Sequence, residues 1–134
     1  MIHCFVRRAA VVGLLATAVV LSGCGKKPNV TVKGTILRDG KPIAVSKTGV
    51  LQVTLRPDVG EGQQYTPKLG ECDRATGEFV IPDVPPGKYK VGVEQFDPSP
   101  QFDKLNYAFS ADKGKFIREI DGKAPLTIDV AKPE

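Results

Sequence analysis

The sequence predicts an all-β domain, a single antiparallel β-sandwich of about seven strands that follows an apolar N-terminal segment. Short stretches of strict in–out alternation recur along the chain from residue 30 onward. Gly, Pro and Asp punctuate them at short intervals, and no segment there sustains a 3.6-residue apolar period. Short alternating runs with frequent turn signals are the pattern of a sandwich rather than of helices packed on a sheet.

Each element follows from local chemistry. Val30, Val32, Gly34 and Ile36 alternate with Thr31, Lys33 and Thr35, which predicts a half-buried strand. Asp39-Gly40 predicts a tight hairpin turn, with Lys41-Pro42-Ile43 leading out of it. Leu51, Val53 and Leu55 define the next strand, and Pro57 ends it. Residues 59–64 (VGEGQQ) are polar and Gly-rich, hence a loop. Residues 65–73 predict a weaker strand interrupted by Pro67. Residues 73–77 form a turn with Gly77 at a left-handed position, after which Phe79 and Ile81 point inward. In Val84-Pro85-Pro86-Gly87 two fixed φ angles and a glycine reverse the chain. Tyr89, Val91 and Val93 give the clearest strand, with Lys88, Lys90 and Glu94 outward. Residues 96–106, with Pro98, Ser99 and Pro100 in sequence, predict an irregular loop. A short helical turn near 110–113, capped by Ser110, and a strand over 116–120 follow. Leu126, Ile128 and Val130 form the last strand.

The N-terminus has its own logic. Arg7 and Arg8 close a basic n-region, and residues 9–21 are apolar apart from Gly13 and Thr17. That run is short for a permanent membrane span and fits a secretory signal, with an unprocessed transmembrane anchor as the alternative. Leu21-Ser22-Gly23-Cys24 resembles a bacterial lipobox. The resemblance implies that residues 1–23 are a signal peptide and that cleavage frees Cys24. It also implies a diacylglycerol on the Cys24 sulfur and a palmitate-type acyl chain on its amino group. Residues 24–29 then form a lipidated tether and residues 30–134 the sandwich domain. Two or three acyl chains anchor a protein stably. The expected partner is therefore a membrane, reached through the lipid, and the expected location is the cell envelope. Gly25 stands where such lipoproteins often carry an Asp that retains them in the inner membrane, which favours the outer membrane.

Loss of residues 1–23 leaves 111 of the 134 residues, enough for one domain with a core. It removes Arg7 and Arg8, so Lys+Arg falls from 19 to 17 against 15 Asp+Glu. A net charge near +2 with no basic cluster beyond Lys26-Lys27 excludes a nucleic-acid-binding footprint. The single histidine is His3 and leaves with the signal, so Ser-His and Cys-His nucleophilic schemes are excluded. Cys4 leaves too, and Cys24 is the lipobox residue, so Cys72 alone remains in the domain. A buried small hydrophobe is favoured there over a reactive thiol.

Three stretches carry a resemblance to the carboxypeptidase regulatory-like domain, a transthyretin-like Greek-key sandwich. They are Val32-Lys33-Gly34-Thr35-Ile36 with Asp39-Gly40-Lys41-Pro42-Ile43, then Val53-Thr54-Leu55-Arg56-Pro57, then Thr76-Gly77-Glu78-Phe79-Val80-Ile81 running into Val84-Pro85-Pro86-Gly87-Lys88-Tyr89-Lys90-Val91. The combination is also similar to small lipoproteins of planctomycete-type bacteria. The resemblance covers most of residues 30–130. It implies an accessory, non-catalytic module and transfers no catalytic residue.

The site residues are weighed accordingly. Asp39, Asp73, Asp83, Asp97, Asp103, Asp112 and Asp121 lie mostly beside Gly or Pro, which is turn chemistry. No Ca²⁺-loop pattern, nucleophile motif or phosphate loop is present, so neither a catalytic residue nor a cofactor nor a metal ligand is assigned. Tyr65, Phe96, Phe102, Tyr107 and Phe109 lie outside the clear strands. Phe96 and Phe102 are expected to pack the Pro-rich loop onto the sandwich. If exposed, Phe96, Phe102 and Tyr107 are the candidate partner-binding residues. The expected function is a lipid-anchored, non-enzymatic binding or structural module with a protein or glycan partner. A glycan-binding envelope lipoprotein is the alternative, and a small carboxylate-based hydrolase stands behind it.

Overall fold

The computed structural model describes residues 25–131, so the signal segment 1–23 and Cys24 lie outside the described residues. Eight strands follow in order: β1 (Val30–Arg38), β2 (Lys41–Pro42), β3 (Val50–Pro57), β4 (Lys68–Glu71), β5 (Glu78–Val84), β6 (Gly87–Phe96), β7 (Phe116–Ile120) and β8 (Leu126–Asp129). They form two sheets of a β-sandwich. One has the order β2-β1-β5, with β8 also on β1, and the other runs β4-β3-β6-β7. A 3-10 turn at Ala111–Lys113 is the one helical element among the described residues.

The alternations become the core. Val32 and Ile36 from β1, Leu51, Val53 and Leu55 from β3, and Tyr89, Val91 and Val93 from β6 are all buried. Each fully buried aliphatic contributes about 1.5–3 kcal/mol over an exposed one. Phe79, Ile81 and Val84 close the core from β5, and Phe116, Ile120, Leu126 and Ile128 close it from the last two strands. Gly34 has no side chain because β8 and Phe79 take its place. A Cβ there would lie 2.4 Å from the Leu126 carbonyl oxygen and 2.5 Å from Phe79 Cζ.

The turns match their chemistry. Asp39 (φ 52°) and Gly40 (φ 74°) both adopt positive φ, the two-residue hairpin form that suits strand twist, and pair Arg38 with Lys41. The Asp129 carboxylate accepts the Asp39 and Gly40 N–H groups at 3.1 and 2.8 Å. Gly77 is left-handed at φ 71°, in a turn organised by Asp73.

The expected 84–87 reversal is present and carries the chain from one sheet to the other, since β5 pairs with β1 and β6 with β3. Three expectations are corrected. Strand β8 runs parallel to β1, pairing Gly34 with Leu126 and Ile36 with Ile128, so the first sheet is mixed rather than purely antiparallel. The weak strand begins only at Lys68, because Pro67 has no N–H to donate to the ladder. Lys90 and Glu94 are half-buried on the outer face of β6, not solvated like Lys88.

The registers sort the loops into two ends. Val30 pairs with Val84, Pro57 with Tyr89 and Gly87 with Ile120, so the 25–29 segment, the β3–β4 loop and the β7–β8 loop share one end. Arg38 pairs with Lys41 and Val50 with Phe96, and Leu37 lies beside Asp129. The 96–107 loop therefore lies at the opposite end. Strand β6 has 10 residues, and at about 3.3 Å per residue it separates the two ends by roughly 30 Å.

Candidate functional site

The 96–107 loop is built around a buried carboxylate. Asp103 is only 1% exposed. Its Oδ1 accepts the Gln95 N–H at 2.7 Å and the Leu105 N–H at 3.0 Å, and its Oδ2 accepts the Tyr107 N–H at 2.8 Å. The Gln95 N–H lies at the end of β6, where β7 no longer pairs, and the Leu105 and Tyr107 N–H groups belong to the loop itself, so the side chain takes the place of a missing strand and closes the loop on β6. The Lys104 N–H completes the seam by donating to the Gln95 carbonyl at 2.7 Å. An ionised acceptor makes each such bond stronger than a neutral one.

A second carboxylate ties the loop across the end of the sandwich. Asp97 accepts the Ser46 N–H at 3.0 Å and also the Ser46 hydroxyl. The Ser46 hydroxyl, the Ser46 N–H and Lys104, in that order, hold the Asp97 carboxyl below its ordinary value. The Ser99 N–H donates to the Thr48 carbonyl at 2.9 Å. Both proline bonds of this stretch, Asp97-Pro98 and Ser99-Pro100, are cis.

The loop presents its aromatics outward. Phe102 is 85% exposed, which corrects the expectation that it packs the loop onto the sandwich. Leu105 and Asp103 take the inward positions instead, and Phe102 and Lys104 face solvent. Tyr107, at φ 55°, is 46% exposed. Phe96 is half-buried at the end of β6. The structure thus brings Phe96, Phe102 and Tyr107 into one loop, with Phe102 the most open. Phe109 belongs to the interior side and stacks on Phe116 with ring centroids 5.7 Å apart.

A second concave feature lies on the outer face of the β4-β3-β6-β7 sheet. Thr54, Arg56 and Glu94 line its floor, Tyr65 and Pro67 one wall, and Ser110, Ala111 and Asp112 the other. The 110–112 wall presses directly on the strand at Gly92, where a Cβ would sit 2.5 Å from the Ala111 nitrogen. Ser110 holds the N-cap position of this turn with no side-chain cap hydrogen bond. Arg56 ion-pairs with Asp112 and lies 4.8 Å from the Tyr65 ring centroid. Burial, with the Asp103 charge adding to it, raises the Glu94 carboxyl above its ordinary value. Sequence reasoning passed over Glu94 and Arg56, which alternate with core residues and look like ordinary outward strand positions.

The remaining carboxylates act locally. Asp73 accepts the Ala75 and Thr76 N–H groups at 2.9 Å each, and Asp121 accepts the Lys123 N–H at 2.9 Å. Asp83 is held low by the Asn29 side-chain amide at 2.6 Å and by Lys68 at 3.5 Å. Among the described residues no group of three or more His, Cys, Asp or Glu converges as metal ligands would. Nor is any described helix long and apolar enough to cross a membrane. Cys72 is 3% exposed, and burial followed by the Glu71 charge pushes its thiol up to about 12, the state of an inert core residue. Compared with known protein families, curated proteins and solved structures, the chain matches none of them.

Proposed function

We propose that the mature protein is a lipid-anchored, non-enzymatic envelope module that displays the 96–107 loop to a protein partner. The observation that carries this reading is Phe102, a large aromatic 85% exposed on a loop fixed by the buried Asp103 carboxylate. An exposed apolar ring on a rigid loop loses little conformational freedom on binding and suits an interface anchor. Tyr107 on the same loop supplies a second exposed ring with a polar tip.

The anchor half of the reading rests on Leu21-Ser22-Gly23-Cys24 and the apolar run before it. Lipid on Cys24 puts the 25–29 end of the sandwich toward the bilayer and the Phe102 loop about 30 Å beyond it. The six-residue tether adds at most about 20 Å of reach. Gly25 favours outer-membrane placement over inner, and the three motif stretches support a Greek-key, carboxypeptidase regulatory-like domain.

Two experiments test the halves separately. Cys24→Ser is expected to release the protein from the membrane fraction or to block its maturation, and unchanged fractionation overturns the anchor. In-cell cross-linking of the tagged protein is expected to capture one reproducible protein that Phe102→Ala loses. A cross-linked set identical for the wild type and Phe102→Ala overturns the loop as the contact surface.

A further inference from the structure

We propose that the groove over β3 and β6 is a second binding site, for a neutral saccharide unit, independent of the Phe102 loop. Glu94 is the central observation. Its carboxylate stands half-buried on the groove floor, and no hydrogen-bond donor among the described residues reaches it. A partly desolvated acceptor without a donor gains most from a ligand that brings donors. Thr54 and Ser110 add hydroxyls on either side, and the Ser110 hydroxyl is not used in capping its own turn. The groove has about 190 Å³ of space, less than a site for a drug-sized molecule and suited to a single sugar ring.

The charges in the groove select against ionic ligands. Arg56 already occupies the Tyr65 ring at 4.8 Å, so an incoming cation meets a like charge where the aromatic face would otherwise attract it. An incoming anion meets Glu94 and Asp112. A pyranose meets neither obstacle. Its hydroxyls donate to Glu94 and exchange hydrogen bonds with Thr54 and Ser110, while its C–H groups lie against Pro67 and the part of Tyr65 that Arg56 leaves open. The Arg56–Asp112 pair is then a brace that holds the two walls at a fixed spacing, one group from the strand and one from the 110–112 turn.

The test uses the mature, acylated protein in a detergent without sugar headgroups. Calorimetric titration compares cellotetraose and chitotetraose, both neutral, with the cationic glucosamine tetramer and the anionic galacturonate tetramer. Saturable binding of a neutral oligosaccharide is expected, weakened about tenfold or more by Glu94→Ala and by Tyr65→Ala, an affinity loss of about 1.4 kcal/mol. Glu94→Gln, which keeps the shape and removes the charge, is expected to weaken it less than Glu94→Ala. Phe102→Ala is expected to leave it unchanged, which separates this site from the loop. The proposal is overturned if no neutral oligosaccharide binds at millimolar concentration, if both groove variants bind like the wild type, or if the glucosamine or galacturonate tetramer binds best.

Discussion

Replacing Asp103 by Ala removes one side chain and orphans three backbone donors at once. The N–H groups of Gln95, Leu105 and Tyr107 lose their acceptor at 2.7–3.0 Å, in a place where Asp103 itself is 1% exposed. A hydrogen bond to a charged group is worth about 1.5–3 kcal/mol, and a buried donor left unsatisfied costs about 1–3 kcal/mol. Three such bonds set an upper bound near 9 kcal/mol, but these losses are not additive and the loop opens to admit water. A net loss of about 3 kcal/mol is expected. With an m-value of about 1.5 kcal/mol/M, the urea midpoint then falls by about 2 M. Asp103→Asn is expected to lose less. One amide oxygen still serves Gln95 and Leu105, while the amide NH₂ faces the Tyr107 N–H, donor against donor. The assay is urea unfolding of the full chain followed by far-UV circular dichroism. A shift below about 0.3 M for Asp103→Ala, equivalent to about 0.5 kcal/mol, refutes the carboxylate as the loop's organiser.

Gly34→Val places a branched side chain where even a Cβ lies 2.4 Å from the Leu126 oxygen, so a loss of about 3 kcal/mol or more in urea unfolding is expected. Cys72 is expected to resist thiol-specific reagents at neutral pH until denaturant is added, because its thiol is pushed up to about 12; fast native-state labelling contradicts its burial. Asp73, Asp83 and Asp97 all have folded values below 3.8, so their stabilisation is present above 3.8 and drains away as pH falls through those lower values. Glu94 has the opposite sign: its folded value lies above 4.5, so its ionisation opposes folding increasingly as pH rises from 4.5 through the folded value. Glu94→Gln is expected to match the wild-type urea midpoint at pH 4 and exceed it at pH 7, and a variant less stable at pH 7 contradicts that sign.

Residues 30–36 carried their strand in plain view, because alternating Val and Ile positions specify both a conformation and a buried face. Asp39-Gly40 was equally legible, since positive φ at two adjacent positions is a local property of those residue types. The direction of β8 was not. Leu126, Ile128 and Val130 state which face is buried but not which strand lies alongside, and only the closed sheet makes that strand parallel to β1. The loop inverted an otherwise sound rule. Residue type alone puts Phe102 inside and Asp103 outside, yet one N–H at the end of β6 and two within the loop draw the carboxylate in and leave the ring in water. Ser46 and Asp97 meet across 51 residues, so neither position hints at the other. The groove was hidden for the same reason: Arg56, Tyr65, Glu94 and Asp112 come from four separate segments that meet only when β3 pairs with β6 and the 110–112 turn packs on them.

The pairing of β1 with β8 also bears on how the chain reaches its folded form. Gly34 waits for Leu126, 92 positions later, and Ile36 for Ile128. A polypeptide emerging from its N-terminus cannot complete that sheet until nearly the whole domain has been made. Closure so distant in the chain is slow compared with local contacts. Until it occurs, the first strand has β5 on one side and only the two-residue β2 at one end of the other, so most of that edge stays open. Under the proposed export and anchoring, in which the chain crosses a bilayer as an extended thread, a last strand that completes the first sheet holds folding back until the crossing is done.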